Sequence, residues 1–223
     1  HRDLHSFPTR RSSDLPDFEE NNLSPGMIGE QTGGFTELLR CRIVLPAGGS
    51  WRQFIRVLAH EMVHAFQFDI LFGRRGGAFG RLFIQTPPLW FLEGMAEYVS
   101  LGWDGTSEAV IRDAVLGNTL PSMRNLDKLA IHPKQYMLVY RQGQAFLRFL
   151  AERFGEKVIP ELVHAFRLTT KADQALRLAT GHDLKELDEA FFHALRARYW
   201  PRYTMHNPKS PPPEERLPYQ PRR

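Results

Sequence analysis

The chain has 223 residues, of which 42% are hydrophobic and 24% are charged, a composition that supports one large globular domain or two small ones. Its net charge is +4, but no dense basic block lies between residues 16 and 205, so the sequence does not favour a nucleic-acid-binding protein. The single cysteine, Cys41, excludes an internal disulfide and a cysteine-based zinc site, and no apolar run reaches the roughly 18 residues of a transmembrane helix.

The N-terminal part of the chain shows little periodicity. Residues 1–15 resemble the translation of a sequencing-library adapter, so we predict a non-native arm rather than a natural disordered one, and we expect the natural N-terminus to be missing. Residues 16–36 are polar and rich in glycine. The segment Leu38–Leu45 alternates partly, is β-branched near its end and is stopped by Pro46, which predicts a strand. This strand could pair with an extended peptide or be an ordinary strand of a sheet.

The next segment, Trp51–Phe72, is apolar-periodic and free of glycine and proline, which predicts a long helix with Ser50 as its N-cap. It contains the pattern H-E-x-x-H, formed by His60, Glu61 and His64. Positions i and i+4 of a helix lie on one face, so both imidazoles can reach one metal ion. The glutamate projects beside that ion, where a base can take a proton from metal-activated water. The pattern is therefore typical of a zinc hydrolase.

A glycine-rich stretch at residues 73–80 predicts a flexible connector or a lid over a cleft. Residues 89–100 then predict a buried helix, because large apolar residues lie on all its sides, and this helix carries two carboxylates. Burying Glu93 and Glu97 side by side is costly unless a cation or a donor meets each, as a zinc ion and a ligating histidine would. Alternatively, both glutamates are solvated while apolar side chains, Val99 among them, face the core.

The C-terminal half is predicted to be helical. Five helices separated by proline, glycine or short polar turns are expected, at Ser107–Leu116, Tyr136–Phe154, Glu156–Leu168, Ala172–Thr180 and Leu184–Tyr199. Gly155 and Gly181 are expected to end two of these helices, and Asp183 to cap the last one. Residues 206–223 are rich in proline and predict an extended linker or tail, so we expect the domain to span residues 16–205.

The motifs at residues 60–64 and 90–98 together resemble those of the gluzincin metallopeptidases. The chain is most similar to the peptidase MA-like domain of bacterial proteins that often carry a Tol-type β-propeller, and the similarity covers about residues 35–201. It implies an α+β, predominantly helical zincin of the thermolysin-like or gluzincin kind. Such a domain would have a small N-terminal β segment, the H-E-x-x-H helix and a C-terminal helical half.

The resemblance also implies a role for each motif residue. His60, His64 and Glu93 would bind one Zn²⁺, and Glu61 would be the general base. Glu97, one turn after the third ligand, would hydrogen-bond a ligating histidine. That role is chemically reasonable, because a ligating imidazole normally donates its other N–H to a carboxylate or a carbonyl.

A short stretch beginning at Tyr140 is similar to the Y-x-x-G stretch of gluzincin aminopeptidases, whose tyrosine stabilises the tetrahedral intermediate. The similarity implies that the Tyr140 hydroxyl donates to the developing oxyanion. Tyr136, one turn earlier, is the second candidate for this role. The alternative for either tyrosine is a side chain that packs in the core of a helical domain.

The sequence thus predicts a zinc-dependent peptidase that acts on a peptide or protein substrate. Two other functions stay open. One is a zinc-bound but catalytically inactive scaffold or peptide-binding module of a larger, propeller-containing protein, and the other is a zinc hydrolase of non-peptide bonds. The family resemblance further implies a periplasmic or extracellular location and a C-terminal β-propeller after the tail.

Overall fold

The chain forms a small antiparallel strand pair followed by helices, in a computed structural model that describes residues 35–37, 42–45, 50–72, 86–100, 102–131 and 133–206. The elements are β1 (Phe35–Glu37), β2 (Arg42–Val44), α1 (Trp51–Phe72), α2 (Leu89–Ser100), α3 (Gly105–Leu116), a 3-10 helix (Leu126–Ile131), α4 (Pro133–Phe154), α5 (Val158–Phe166), α6 (Ala172–Thr180) and α7 (Leu184–His206). Within these ranges the predicted predominance of helix is confirmed. None of these helices is both long and apolar enough to cross a membrane.

The β segment differs from its prediction. Of the strand expected at Leu38–Leu45, the structure describes the three residues of β2. Strand β2 pairs with β1, so that Phe35 lies opposite Val44. Strand β1 was not predicted, because three residues are too few to show an alternating pattern. The predicted arm at residues 1–15, the glycine-rich stretch at residues 73–80 and the tail beyond α7 lie outside the described residues.

The bounds of two helices differ from their predictions at a proline. Helix α4 begins at Pro133 rather than Tyr136, because a proline in the first position lacks only an N–H that would have no helical partner anyway. Helix α7 continues through Pro201 instead of ending at Tyr199, with the two residues before the proline buried in the core. Burial of that helical face offsets the loss of the backbone hydrogen bond that the proline cannot donate. Helix α3 begins two residues earlier than expected, and α5 is shorter at both ends.

The predicted helix caps are confirmed. The Ser50 hydroxyl accepts the backbone N–H three residues on, at 3.2 Å, and so caps α1. Gly155 and Gly181 follow α4 and α6 with φ of +86° and +79°, a left-handed conformation that glycine adopts without strain. The Asp183 carboxylate accepts the backbone N–H three residues on, at 2.9 Å, and caps α7.

Helices α2 and α4 form the most extensive helix pair of the domain. They cross backbone to backbone at two glycines: a Cβ added at Gly94 would lie 2.4 Å from the carbonyl carbon of Gly143, and a Cβ added at Gly143 would lie 2.2 Å from the carbonyl oxygen of Trp90. Any larger residue would hold the helices apart. The crossing therefore brings the carboxylates of α2 against the first half of α4.

An aromatic core surrounds this crossing. The Trp90 ring lies 5.4 Å from the Phe146 ring, and the Phe91 ring lies 4.2 Å from the Phe166 ring. The start of α2 is held from the 3-10 helix, where Asp127 accepts the first two backbone N–H groups of α2 at 3.1 and 3.0 Å. The start of the helix that carries the two glutamates is thus fixed by packing and capping.

Candidate metal centre

Three side chains from two helices converge at one point. His60 and His64 come from α1, and Glu93 comes from α2. The two histidine Nε2 atoms lie 3.1 Å apart, and each lies 3.2 Å from the same oxygen of Glu93. Ligands of a tetrahedral zinc ion with bonds of 2.0–2.1 Å lie about 3.3 Å from one another. The triangle therefore has the size that a single metal ion requires, and the three side chains could hold one.

The remaining partners of the two imidazoles determine where their hydrogens lie. The side-chain nitrogen of Gln67 donates to the carbonyl oxygen of Leu92 at 2.9 Å, so the amide oxygen faces His64 Nδ1, 2.8 Å away, and accepts its N–H. His60 Nδ1 lies 3.4 Å from the carboxylate of Glu97, which can only accept when ionised. In their neutral forms both histidines therefore carry hydrogen on Nδ1 and present an Nε2 lone pair to the centre of the triangle.

This arrangement requires positive charge at its centre, because two lone pairs and a carboxylate oxygen at such distances repel one another. A proton or a metal cation can supply that charge. Burial lowers the pKa of His60, but hydrogen bonds and charges of Glu93 and Glu97 outweigh this effect and raise it to about 9. Burial raises the pKa of Glu93, whereas hydrogen bonds to His60 and His64 outweigh burial and lower it to about 2. A site that attracts a proton so strongly also suits a metal cation.

Glu97 is buried, which contradicts the alternative that both glutamates of α2 are solvated. Its side chain is 8% exposed, and one of its oxygens faces His60. The other oxygen accepts a hydrogen bond from the Arg141 guanidinium, which also donates to the Ser107 hydroxyl at 3.1 Å. Val99, which that alternative places in the core, is 57% exposed. Glu97 thus has a histidine on one oxygen and a buried cation on the other.

The residues predicted to take part in catalysis lie beside the triangle. Glu61 is buried next to His60 on α1. The Tyr140 ring stacks on the His60 ring, with centroids 5.8 Å apart, and its hydroxyl donates to the Tyr136 hydroxyl at 2.9 Å. Burial raises the pKa of both phenols, and the charge of Glu93 raises both further. Neither tyrosine is simply a core side chain, because Tyr140 stacks on His60 and Tyr136 is 36% exposed.

Two residues of this cluster, Gln67 and Arg141, were not predicted from the sequence. The spacing could have indicated the first, since Gln67 lies three residues after His64 and shares a face of α1 with it. No local signal indicates that Arg141 meets Glu97, because the two residues are 44 positions apart on different helices. The charge on Glu97 therefore has a partner that only the crossing of α2 and α4 provides.

Comparison with known proteins identifies a family for this chain. A family model described as the Peptidase MA superfamily matches residues 44–197. That range begins at the end of β2 and ends within α7, so it includes every residue of the cluster. No curated protein and no solved structure shows a significant match to the chain.

Proposed function

This chain belongs to the Peptidase MA superfamily, and from that membership we propose that it is a zinc-dependent peptidase of the gluzincin type. The observation that carries the proposal is the triangle of two imidazole nitrogens and one carboxylate oxygen, 3.1–3.2 Å apart, formed by His60, His64 and Glu93. Two histidines and one glutamate form a donor set that is typical of catalytic zinc, with a fourth position for water or substrate.

The residues of the chain would divide the work of peptide hydrolysis. When bound, zinc would supply a Lewis acid that makes water more acidic and polarises the carbonyl of the scissile bond. Glu61 would take one proton from the attacking water as the new C–O bond forms, and would return it to the amine nitrogen as the C–N bond breaks. The Tyr140 hydroxyl would donate to the developing oxyanion. In the free protein the Tyr140 hydroxyl donates to the Tyr136 hydroxyl, so on substrate binding the oxyanion would replace Tyr136 as the acceptor.

The Glu61→Gln variant tests the role of the base. It keeps the size of the side chain and removes its basicity, so zinc content should stay at the wild-type level while hydrolysis falls by about 100- to 10,000-fold. Zinc content is measured by atomic emission, and hydrolysis by mass spectrometry of a mixed peptide library. The matched control, Glu161→Gln on the exposed side of α5, should change neither quantity. Full activity of Glu61→Gln would contradict the mechanism.

The same peptide library, assayed beside a set of ester and other non-peptide substrates, separates the other two functions. Zinc bound by the wild-type protein without cleavage of any peptide would favour the inactive scaffold or the peptide-binding module. Cleavage confined to esters or other non-peptide substrates would favour the alternative hydrolase. If peptides are cleaved, kcat is compared for Tyr140→Phe and Tyr136→Phe. The variant that loses more of its kcat identifies the hydroxyl that donates to the oxyanion.

A further inference from the structure

Gln67 is only 3% exposed, and both the oxygen and the nitrogen of its side-chain amide make hydrogen bonds. Its oxygen lies 2.8 Å from His64 Nδ1, and its nitrogen donates to the carbonyl oxygen of Leu92, the residue immediately before Glu93. One side chain therefore touches a ligand-bearing position on α1 and the backbone beside the ligand-bearing position on α2.

We infer that Gln67 is a positioning residue of the metal centre: its amide sets the tautomer of His64 and holds α1 in register with the segment that carries Glu93. This inference rests on the proposed metal-dependent function. Gln67 is not a catalytic residue, because the structure shows no contact between its amide and the three ligand atoms. It would act only through His64 and the backbone of Leu92.

The direction of the amide carries the argument. A backbone carbonyl such as that of Leu92 can only accept a hydrogen bond, so the amide nitrogen must face it and the amide oxygen must face His64. A neutral imidazole can carry its hydrogen on either nitrogen, and only the form with hydrogen on Nδ1 leaves Nε2 free to bind a metal. The Leu92 carbonyl thus selects, through Gln67, the competent form of His64.

The two histidines are oriented in different ways. His60 faces the charged carboxylate of Glu97, whereas His64 faces a neutral amide. The ring of Phe68 also stacks on His64, with centroids 6.0 Å apart, and restricts its plane without selecting a tautomer. Of these two contacts, both outside the triangle of ligand atoms, only the one to Gln67 distinguishes the two ring nitrogens.

Two substitutions separate the functions of the amide. Gln67→Met keeps a long side chain and removes both hydrogen bonds, so it should weaken zinc binding by about 10- to 100-fold. Gln67→Glu keeps an acceptor for the His64 N–H and loses the donor to Leu92, so it should bind zinc about tenfold more tightly than Gln67→Met. The matched control is Gln53→Met, at an exposed position of the same helix, which should bind zinc as the wild type does.

The dissociation constant for zinc is measured by competition with a chromophoric chelator, at a temperature where circular dichroism shows that each metal-free variant is folded. A wild-type protein that binds no zinc would overturn both the proposed function and this inference. If the wild type binds zinc tightly and Gln67→Met binds it with the same affinity, the inference about Gln67 is overturned and the proposed function stands. The inference is also overturned if Gln67→Met and Gln67→Glu weaken zinc binding equally. If Gln67→Met does not fold, Gln67→Glu decides, and a loss beyond about 100-fold refutes the tautomer assignment.

Discussion

Substituting Gly143 by alanine tests the crossing of α2 and α4 without reference to any metal. The new Cβ would lie 2.2 Å from the Trp90 carbonyl oxygen, whereas an ordinary C···O contact is about 3.3 Å, so the helices must separate by about 1 Å. Overpacking on this scale costs about 3 kcal/mol. The higher helix propensity of alanine recovers about 1 kcal/mol at most. The net loss of about 2 kcal/mol should lower the Tm by about 4–8 °C in a domain of this size.

Thermal unfolding of the chelator-treated protein, followed by circular dichroism, measures this change. Gly105→Ala is the matched control, because an added Cβ there meets nothing within 4 Å, and its Tm should be unchanged or slightly higher. Gly94→Ala should be destabilised like Gly143→Ala, since its Cβ would press on the same crossing from the other side. A Gly143→Ala variant as stable as the wild type would refute the backbone-to-backbone contact, and with it the account of how Arg141 of α4 reaches Glu97.

Two other predictions concern the charges of the cluster. Because the pKa of His60 is raised from 6.5 to about 9, its contribution to the stability of the metal-free protein is complete below pH 6.5 and is lost as the pH rises through 9. Because the pKa of Glu93 is lowered from 4.5 to about 2, its contribution to stability is complete above pH 4.5 and is lost as the pH falls through 2. The Tm in the presence of a chelator should therefore be highest between pH 4.5 and 6.5. A Tm that stays constant from pH 6.5 to 9 would contradict the pairing of His60 with the two glutamates. Arg141→Met should destabilise the protein by about 3–5 kcal/mol in urea unfolding, because it leaves Glu97 buried without its cation. The double variant with Glu97→Gln should recover part of that loss, and a double variant less stable than Arg141→Met would argue against an unpaired charge as the cause.

Much of the helical framework could be predicted from the sequence, because helices leave local signals. The apolar period of Trp51–Phe72, the hydroxyl of Ser50 and the glycines after α4 and α6 each act within a few residues. Helix ends at prolines were less predictable, since Pro133 begins a helix and Pro201 lies inside one. The strand pair was predicted only in part, because its strands are too short to leave a pattern.

The sequence by itself determined that His60 and His64 share one face of a helix, because a spacing of four residues places them one turn apart wherever that helix lies. Tertiary structure decided the rest of the cluster. The approach of Glu93 to both imidazoles, the pairing of Glu97 with Arg141 and the direction of the Gln67 amide all depend on how α1, α2 and α4 pack. The glycines at the crossing are visible in the sequence, but the backbone that each one contacts is not, since that contact joins segments about 50 residues apart.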